Sequence, residues 1–220
     1  MSQTTIIVTI TSGPFQTNGY LVGNPETHAA IAIDVPPESV DDFVNAAGMR
    51  ELTITQIIHT HGHWDHVADS ALLKARTTAR TFIHKLDETY LLHPQEIIEG
   101  VTFQFDPVLP DGYLEDGALL TNNGIELNVI HTPGHTPGSV CFFFPGELLL
   151  FSGDTLFAGS VGRADLPGGD WEVLLSSIRS KLFKLPEKTR VYPGHGPVTT
   201  IQREKLYNPF VGTLRRPAAP

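Results

Sequence analysis

The sequence predicts one domain of mixed strands and helices, α+β in class, and three observations predict it. The 220 residues suit a single domain over 1–220 with a large buried core. Short β-branched and apolar runs alternate with helix-period stretches, and no low-complexity segment or linker cuts the chain. Four of those runs end in a loop that carries histidine or aspartate beside glycine or proline. Each half of the chain passes from strands through such a loop to helices, a loose duplication without a repeat in the sequence itself.

Residues 4–10 are short and β-branched and read as a strand. Ser12-Gly13-Pro14 turns the chain, and 18–23 and 29–35 add two strands around Asn24-Pro25, a three-strand ladder. Pro36-Pro37-Glu38 opens a helix to about residue 47, with Val40, Phe43, Val44 and Ala47 on one face and Gly48 as its stop. A strand over 52–58 runs into Thr60-His61-Gly62-His63-Trp64-Asp65-His66, and a helix follows over 67–76. Residues 81–84 read as a short strand, and 87–92 as a short helix ended by His93-Pro94. The stretch 93–117, broken by Pro107, Pro110, Asp111-Gly112 and Asp116-Gly117, reads as an irregular surface loop.

Asn122-Asn123-Gly124 is a hairpin signal before a strand over 125–130. Residues 140–144 and 148–152 are strands around the turn Pro145-Gly146. A glycine-rich loop over 157–169 leads to a helix from the N-cap Asp170 to about residue 185. Residues 190–192 form a last short strand, and 200–207 a last helix. The tail, 217–220, reads as loose.

Composition excludes several functions. Hydrophobic residues make up 40% and charged residues 18%, with both signs mixed, so the chain is globular. The net charge is −9 and basic residues cluster only at Arg215-Arg216, which argues against a nucleic-acid partner. No apolar run approaches the roughly 20 residues that span a bilayer. The N-terminus lacks the pattern of a signal peptide, and the single cysteine, Cys141, suits a reducing compartment. These features together predict a cytoplasmic protein; a monomer or homodimer is expected, though no sequence feature decides between them. Cys141 sits in the aromatic run Cys141-Phe142-Phe143-Phe144 and reads as buried and inert, and the three phenylalanines as core.

The chemistry concentrates in residues 61–66, where three imidazoles and one carboxylate share six positions. Imidazole is the commonest protein ligand for transition metals, and carboxylate its frequent companion. His61 and His63 stand two apart, on one face of extended chain, while Asp65 and His66 diverge. Three later residues follow likely strand ends in the same way: His135 in His131-Thr132-Pro133-Gly134-His135, Asp154 after Gly153, and His195 in Pro193-Gly194-His195-Gly196. A lone histidine or aspartate beside glycine is ordinarily a turn or cap residue. Seven such residues on converging loops are more than one tetrahedral ion takes, and they suit two metals. The split we expect is His61, His63 and His135 on one metal, Asp65, His66 and His195 on the other, and Asp154 between them. His28 and His93 read as surface residues, His59 and His131 as packing or supporting residues, His84 falls outside the ligand pattern, and Trp64 packs at the helix start.

These residues resemble the metallo-β-lactamase superfamily. Its His-x-His-x-Asp-His hallmark is met by His61 to His66, and its later His, Asp and His by His135, Asp154 and His195. The resemblance covers about residues 5–200 and implies an αββα sandwich: two mixed β-sheets face to face, helices outside, metals at one edge. Within the superfamily, Gly153-Asp154-Thr155-Leu156-Phe157, the stretch Gly162 to Asp170, Pro193 to Pro197 and Asn208-Pro209-Phe210 are similar to the glyoxalase II group, in its single-domain bacterial type. Two-domain members carry a tyrosine two residues past the last metal histidine, where this chain has Pro197. Arg163 stands roughly where that group places a substrate-binding lysine; its other reading is a salt bridge to Asp165 or Asp170.

The resemblance implies thioester hydrolysis, S-D-lactoylglutathione or a related acyl thiol going to hydroxy acid and thiol. Two divalent ions about 3.5–4 Å apart pull the pKa of a shared water toward neutrality, and the hydroxide attacks. Asp65 doubles as the catalytic group that orients that water. Nitrogen and oxygen donors without thiolate suit zinc, iron and manganese alike; zinc is the first expectation, with iron and manganese as alternatives. A similar rival is a mononuclear-iron persulfide dioxygenase using His61, His135 and Asp154; a lactonase is another.

Overall fold

The computed structural model describes residues 5–93 and 105–214. Strands β1 (Ile6–Ser12), β2 (Thr17–Gly23) and β3 (Ala29–Ile33) form the expected antiparallel ladder. Helix α1 (Val40–Gly48) crosses to β4 (Thr53–Ile58), which lies parallel to β3. Two short helices, α2 (Trp64–Val67) and α3 (Ser70–Thr77), lead to β5 (Arg80–His84). A 3-10 turn at Lys85–Asp87, helix α4 (Glu88–Leu92) and β6 (Gly112–Leu114) complete a mixed six-stranded sheet in the order β1 to β6.

The second sheet is also mixed and six-stranded. Strands β7 (Leu119–Asn122), β8 (Ile125–His131), β9 (Val140–Phe144) and β10 (Leu149–Gly153) run antiparallel in sequence. Asn123 and Gly124, both at positive φ, make the two-residue turn that joins β7 to β8. The small hairpin β11 (Leu156–Phe157) and β12 (Ser160–Val161) and helix α5 (Trp171–Ser180) follow. Strand β13 (Arg190–Pro193) then pairs parallel to β10, and β14 (Thr199–Thr200) and helix α6 (Ile201–Tyr207) close the fold.

Alternation along the strands builds the layers. Tyr20, Val22, Ile31 and Ile33 of the first sheet meet Phe142, Phe144, Leu149 and Phe151 of the second between the sheets. The residues between them face outward: Leu21, Ala30 and Ala32 pack under α1 and α3 with Phe43, Ala47 and Leu73. Cys141, Phe143 and Leu150 pack under α5 and α6 with Leu174, Ile178 and Ile201. Both faces of each central strand are therefore dry, which is why these strands read as unbroken apolar runs. The result is an αββα sandwich of two mixed sheets, as the family resemblance implies. Among the described residues no helix is long and apolar enough to cross a membrane.

Several expected boundaries are corrected. The first helix begins at Val40, not at the prolines, because Glu38 sits at φ +63 and residues before proline disfavour helical backbone. The helix expected over 67–76 is two helices, and the first starts at Trp64, so Asp65 and His66 are helical. Val35 separates the two: its N–H donates to His66 O at 2.7 Å, and its carbonyl accepts from Asp69 N–H at 3.1 Å. The last long helix ends at Ser180, followed by a 3-10 turn at Leu182–Lys184. Of the loop expected over 93–117, residues 94–104 lie outside the described residues, as does the tail 217–220. Its remainder holds strand β6 and a buried Val108 against Val67, Ile83 and Leu91.

Two features support direct predictions. Asp170 caps α5 by accepting Val173 N–H at 3.0 Å. Asp170→Ala should lower stability by about 1 kcal/mol, read as a shift of the denaturant midpoint at constant slope. Cys141 is fully buried, and burial pushes its thiol up to about 11. A thiol reagent should leave it unmodified in the native protein and label it fully once the protein is unfolded.

Candidate metal centre and pocket

The loops that leave β4, β8, β10 and β13 meet at one edge of the sandwich and bring all seven predicted donors together. The first loop comes from one sheet and the other three from the second. His61, His63 and His135 form one group, Asp65, His66 and His195 another, and His61, His66 and Asp154 a third; within each, the donor atoms lie within 4.8 Å of one another. His135 Nε2 is 2.8 Å from His63 Nδ1 and 3.2 Å from His61 Nε2. Asp154 reaches both sides: Oδ1 is 3.3 Å from His66 Nε2, and Oδ2 is 3.6 Å from His135 Nε2 and 3.4 Å from His195 Nε2. His195 Nε2 is also 3.3 Å from Asp65 Oδ2.

Four of the five imidazoles are held by their other nitrogen, which leaves the inward one bare; the other nitrogen of His63, Nε2, is buried without a hydrogen-bond partner. His66 Nδ1–H donates to Asp34 Oδ2 at 2.8 Å. His61 Nδ1 faces Thr60 Oγ at 3.1 Å, and that hydroxyl donates to Asp34 Oδ2 at 2.7 Å. His135 Nδ1 is 2.6 Å from the carbonyl of Arg163, and His195 Nδ1 is 3.1 Å from that of Phe15. Asp65 Oδ2 accepts from Thr17 Oγ at 2.7 Å.

Burial and the neighbouring histidines hold His61 well below the usual imidazole pKa, and burial takes His63 down to about 3, so both rings are neutral near pH 7. Burial also opposes charge on His66 and His195. The carboxylates outweigh it: Asp154, Asp65 and Asp34 hold His66 well above its usual value, and Asp154 and Asp65 raise His195 to about 9. The site thus pulls positive charge onto itself.

Beside the donors opens a cavity of about 870 Å³. Phe15, Trp64, Phe157, Val161 and Leu166 give it apolar walls, and Arg163 stands among them. The model of the metallo-beta-lactamase superfamily matches residues 12–195, a span that ends on the last donor. The chain belongs to the metallo-β-lactamase superfamily. Among its relatives, the hydroxyacylglutathione hydrolase GloC of Haemophilus influenzae is 35% identical over 202 residues, covering 90% of this chain and 94% of that one. The solved structure of TTHA1623 in a di-iron-bound form is 36% identical with a TM-score of 0.79, covering 92% of this chain and 99% of that one. The structure of ETHE1 from Myxococcus xanthus is 29% identical with a TM-score of 0.78, covering 94% and 84%.

The superfamily fold implies a divalent metal, and the residues present fit one. His66 Nε2 and Asp154 Oδ1 are buried, face the centre and have no hydrogen-bond partner. Three bare imidazole nitrogens converge where hydrogen bonds among themselves can satisfy few of them. A cation answers both. The backbone makes room for this crowding: at Gly194 a side chain would meet His66 Cε1 at 2.7 Å and run into Asp154 Oδ1.

Two carboxylates in this site were missed from the sequence. Asp34 follows strand β3 as Asp154 follows β10, so the strand-end pattern could have found it. Asp87 carried no local signal. It accepts from Gly62 N–H at 3.0 Å and Thr136 Oγ at 2.7 Å with one oxygen, and from Gly138 N–H at 2.7 Å with the other. The side chain of Arg163 pairs with Asp165 through two bonds of 2.7 Å, while Asp170 is engaged as a cap. His59 is buried, 3.1 Å from Ser70 Oγ and 3.8 Å from Asp34 Oδ1. His131 stacks on His84 at 4.3 Å, and His28 and His93 are exposed. Trp64 is buried at the first turn of α2 with its ring 5.3 Å from that of Phe15.

Proposed function

We propose that this chain is a metal-dependent thioester hydrolase of hydroxyacylglutathione hydrolase type, acting as one domain on S-D-lactoylglutathione or a related acyl thiol. The observation that carries this reading is the seven-donor cage opening on an apolar-walled cavity. The likeness to GloC supports the thioester among the substrates of the superfamily, as does the stretch from Gly162 to Asp170.

In this reading His61, His63 and His135 hold one divalent ion, Asp65, His66 and His195 a second, and Asp154 is shared. The donor set suits zinc, iron and manganese alike; we take zinc first, and the likeness to a di-iron form supports iron beside it. A bound pair would supply a Lewis acid for the carbonyl oxygen and a water acidic enough to act near neutral pH. Asp65, steadied by Thr17, orients the attacking water. Phe15, Trp64 and Phe157 exclude bulk water from the reacting carbon, which strengthens every charge interaction there. Arg163 contributes to binding the thiol carrier by sharing its guanidinium between Asp165 and a substrate carboxylate. The single buried cysteine suits a reducing, cytoplasmic setting.

The test is hydrolysis of S-D-lactoylglutathione by purified protein loaded with zinc, iron or manganese, with the bound metal counted by elemental analysis. Turnover that disappears with a chelator and in His61→Ala is expected; turnover at background with every metal rejects the reading. The likeness to ETHE1 favours a second reading, a mononuclear-iron persulfide dioxygenase. Oxygen uptake by iron-loaded protein given a persulfide separates the two.

A further inference from the structure

We propose that Glu204 and Asn208 are positioning residues for the cavity: from α6 they latch the β11–β12 hairpin that carries Phe157 and Val161 into its wall. The inference rests on the reading of this cavity as the substrate site. The hairpin cannot hold itself. Its strands are two residues each, paired only as Leu156 with Val161 and Phe157 with Ser160, and so short a ribbon is unstable without an anchor.

Leu156 and Val161 fix the base of the ribbon in the apolar cluster under α5 and α6, but its turn is held from some 45 residues further along the chain. Glu204 is buried, yet the one cation near it among the described residues, Arg203, stands 3.8 Å away with its side chain largely in solvent. Its carboxylate is spent on neutral donors instead. Oε2 accepts Gly159 N–H at 2.8 Å and Asn208 Nδ2 at 2.8 Å, and Oε1 accepts Thr199 Oγ at 2.6 Å. Asn208 Nδ2 donates as well to Ser160 O at 2.9 Å. Gly159 by its N–H and Ser160 by its carbonyl are thus both gripped at the hairpin's turn from the end of α6. A helix-surface glutamate would be solvated at no penalty, and burying one is offset only by the bonds it makes. What these bonds set in place is the cavity wall. Past the wall the same segment reaches Arg163, whose carbonyl orients His135.

The variants follow from the donor count. Glu204→Ala removes the grip. Glu204→Gln keeps one acceptor oxygen for Gly159 and Asn208, and its NH2 can donate to Thr199, whose hydroxyl can reverse. On zinc-loaded full-length protein, Glu204→Ala should raise KM for the thioester about tenfold, with kcat changed far less and zinc content unchanged. Glu204→Gln should return close to the parent. Phe157→Ala with Glu204→Ala should have a KM no higher than Phe157→Ala alone, since both act through one wall. Hydrogen exchange of Glu204→Ala should quicken over 157–163 and not across α5 or the sheets. Asn208→Ala should repeat the pattern if Glu204→Ala is too unstable to purify. A lower melting temperature with KM and local exchange unchanged would overturn the proposal, as would additive effects in the double variant. If the parent protein hydrolyses no thioester, the functional reading fails, and the exchange arm alone decides the latch: quickening confined to 157–163 supports it, and none overturns it.

Discussion

Asp34→Ala is expected to weaken metal binding by about 10–100-fold, the usual penalty for losing the group that orients a ligating histidine. One carboxylate here does three things. It accepts from His66 Nδ1 at 2.8 Å, from Thr60 Oγ at 2.7 Å and from Thr60 N–H at 2.8 Å. Through the Thr60 hydroxyl it also steadies His61. Alanine would free the His66 ring to turn and leave its Nδ1 proton without an acceptor, and it would release the Thr60 hydroxyl that faces His61. It would also strand a buried N–H, at about 1–3 kcal/mol. Residue 34 lies at φ +55, which alanine tolerates less well than aspartate or asparagine. Asp34→Asn therefore separates the effects. Its oxygen can still take Thr60 N–H, so the fold should be nearly spared, but its NH2 opposes the His66 proton, so metal affinity should still fall. Zinc titration against a chromophoric chelator and denaturant unfolding of the two variants check this. Equal zinc affinity in the parent and both variants would refute it.

Asp87→Ala is expected to loosen the other side of the site and to destabilise the protein by about 2–6 kcal/mol, from two orphaned backbone N–H groups at 1–3 kcal/mol each. Gly62 lies between His61 and His63, and Gly138 closes the loop of His135. Asp87 ties these two loops together through Gly62 N–H and Gly138 N–H. Thr136 would be spared, because its hydroxyl also bonds Ser139 Oγ at 2.7 Å. The loss is a large part of a typical net stability of about 5–15 kcal/mol. Asp87→Asn should recover roughly half, since one oxygen serves one N–H while the NH2 opposes the other. Unfolding curves measured without and with zinc should show both the fall and a smaller zinc-induced stabilisation. A midpoint within experimental error of the parent would remove Asp87 from its assigned place.

How much of this was legible in the sequence depends on the range of each interaction. The seven donors could be read because each sits beside a local sign: a dense histidine run, or a strand end followed by glycine or proline. The strands could be read because burial on two faces leaves a continuous apolar run, as in Val140–Phe144. The break between α2 and α3 could not be read, since it is made by Val35, about thirty residues earlier. Strand β6 was missed for a similar reason: three residues pair with β5 and carry no period of their own. Asp87 stands at what reads as an ordinary helix start, and only the meeting of two distant loops gives it work.

The sequence by itself determined the class of elements, the donor set and the chemistry those donors favour, because residue type and spacing encode them within a few positions. Only the tertiary structure decided which sheet edge gathers the donors, which carboxylates aim their rings, and what holds the cavity wall. Those depend on hydrogen bonds between groups far apart along the chain, such as Asn18 to the carbonyl of Gly196, and such bonds exist only once the two sheets have packed.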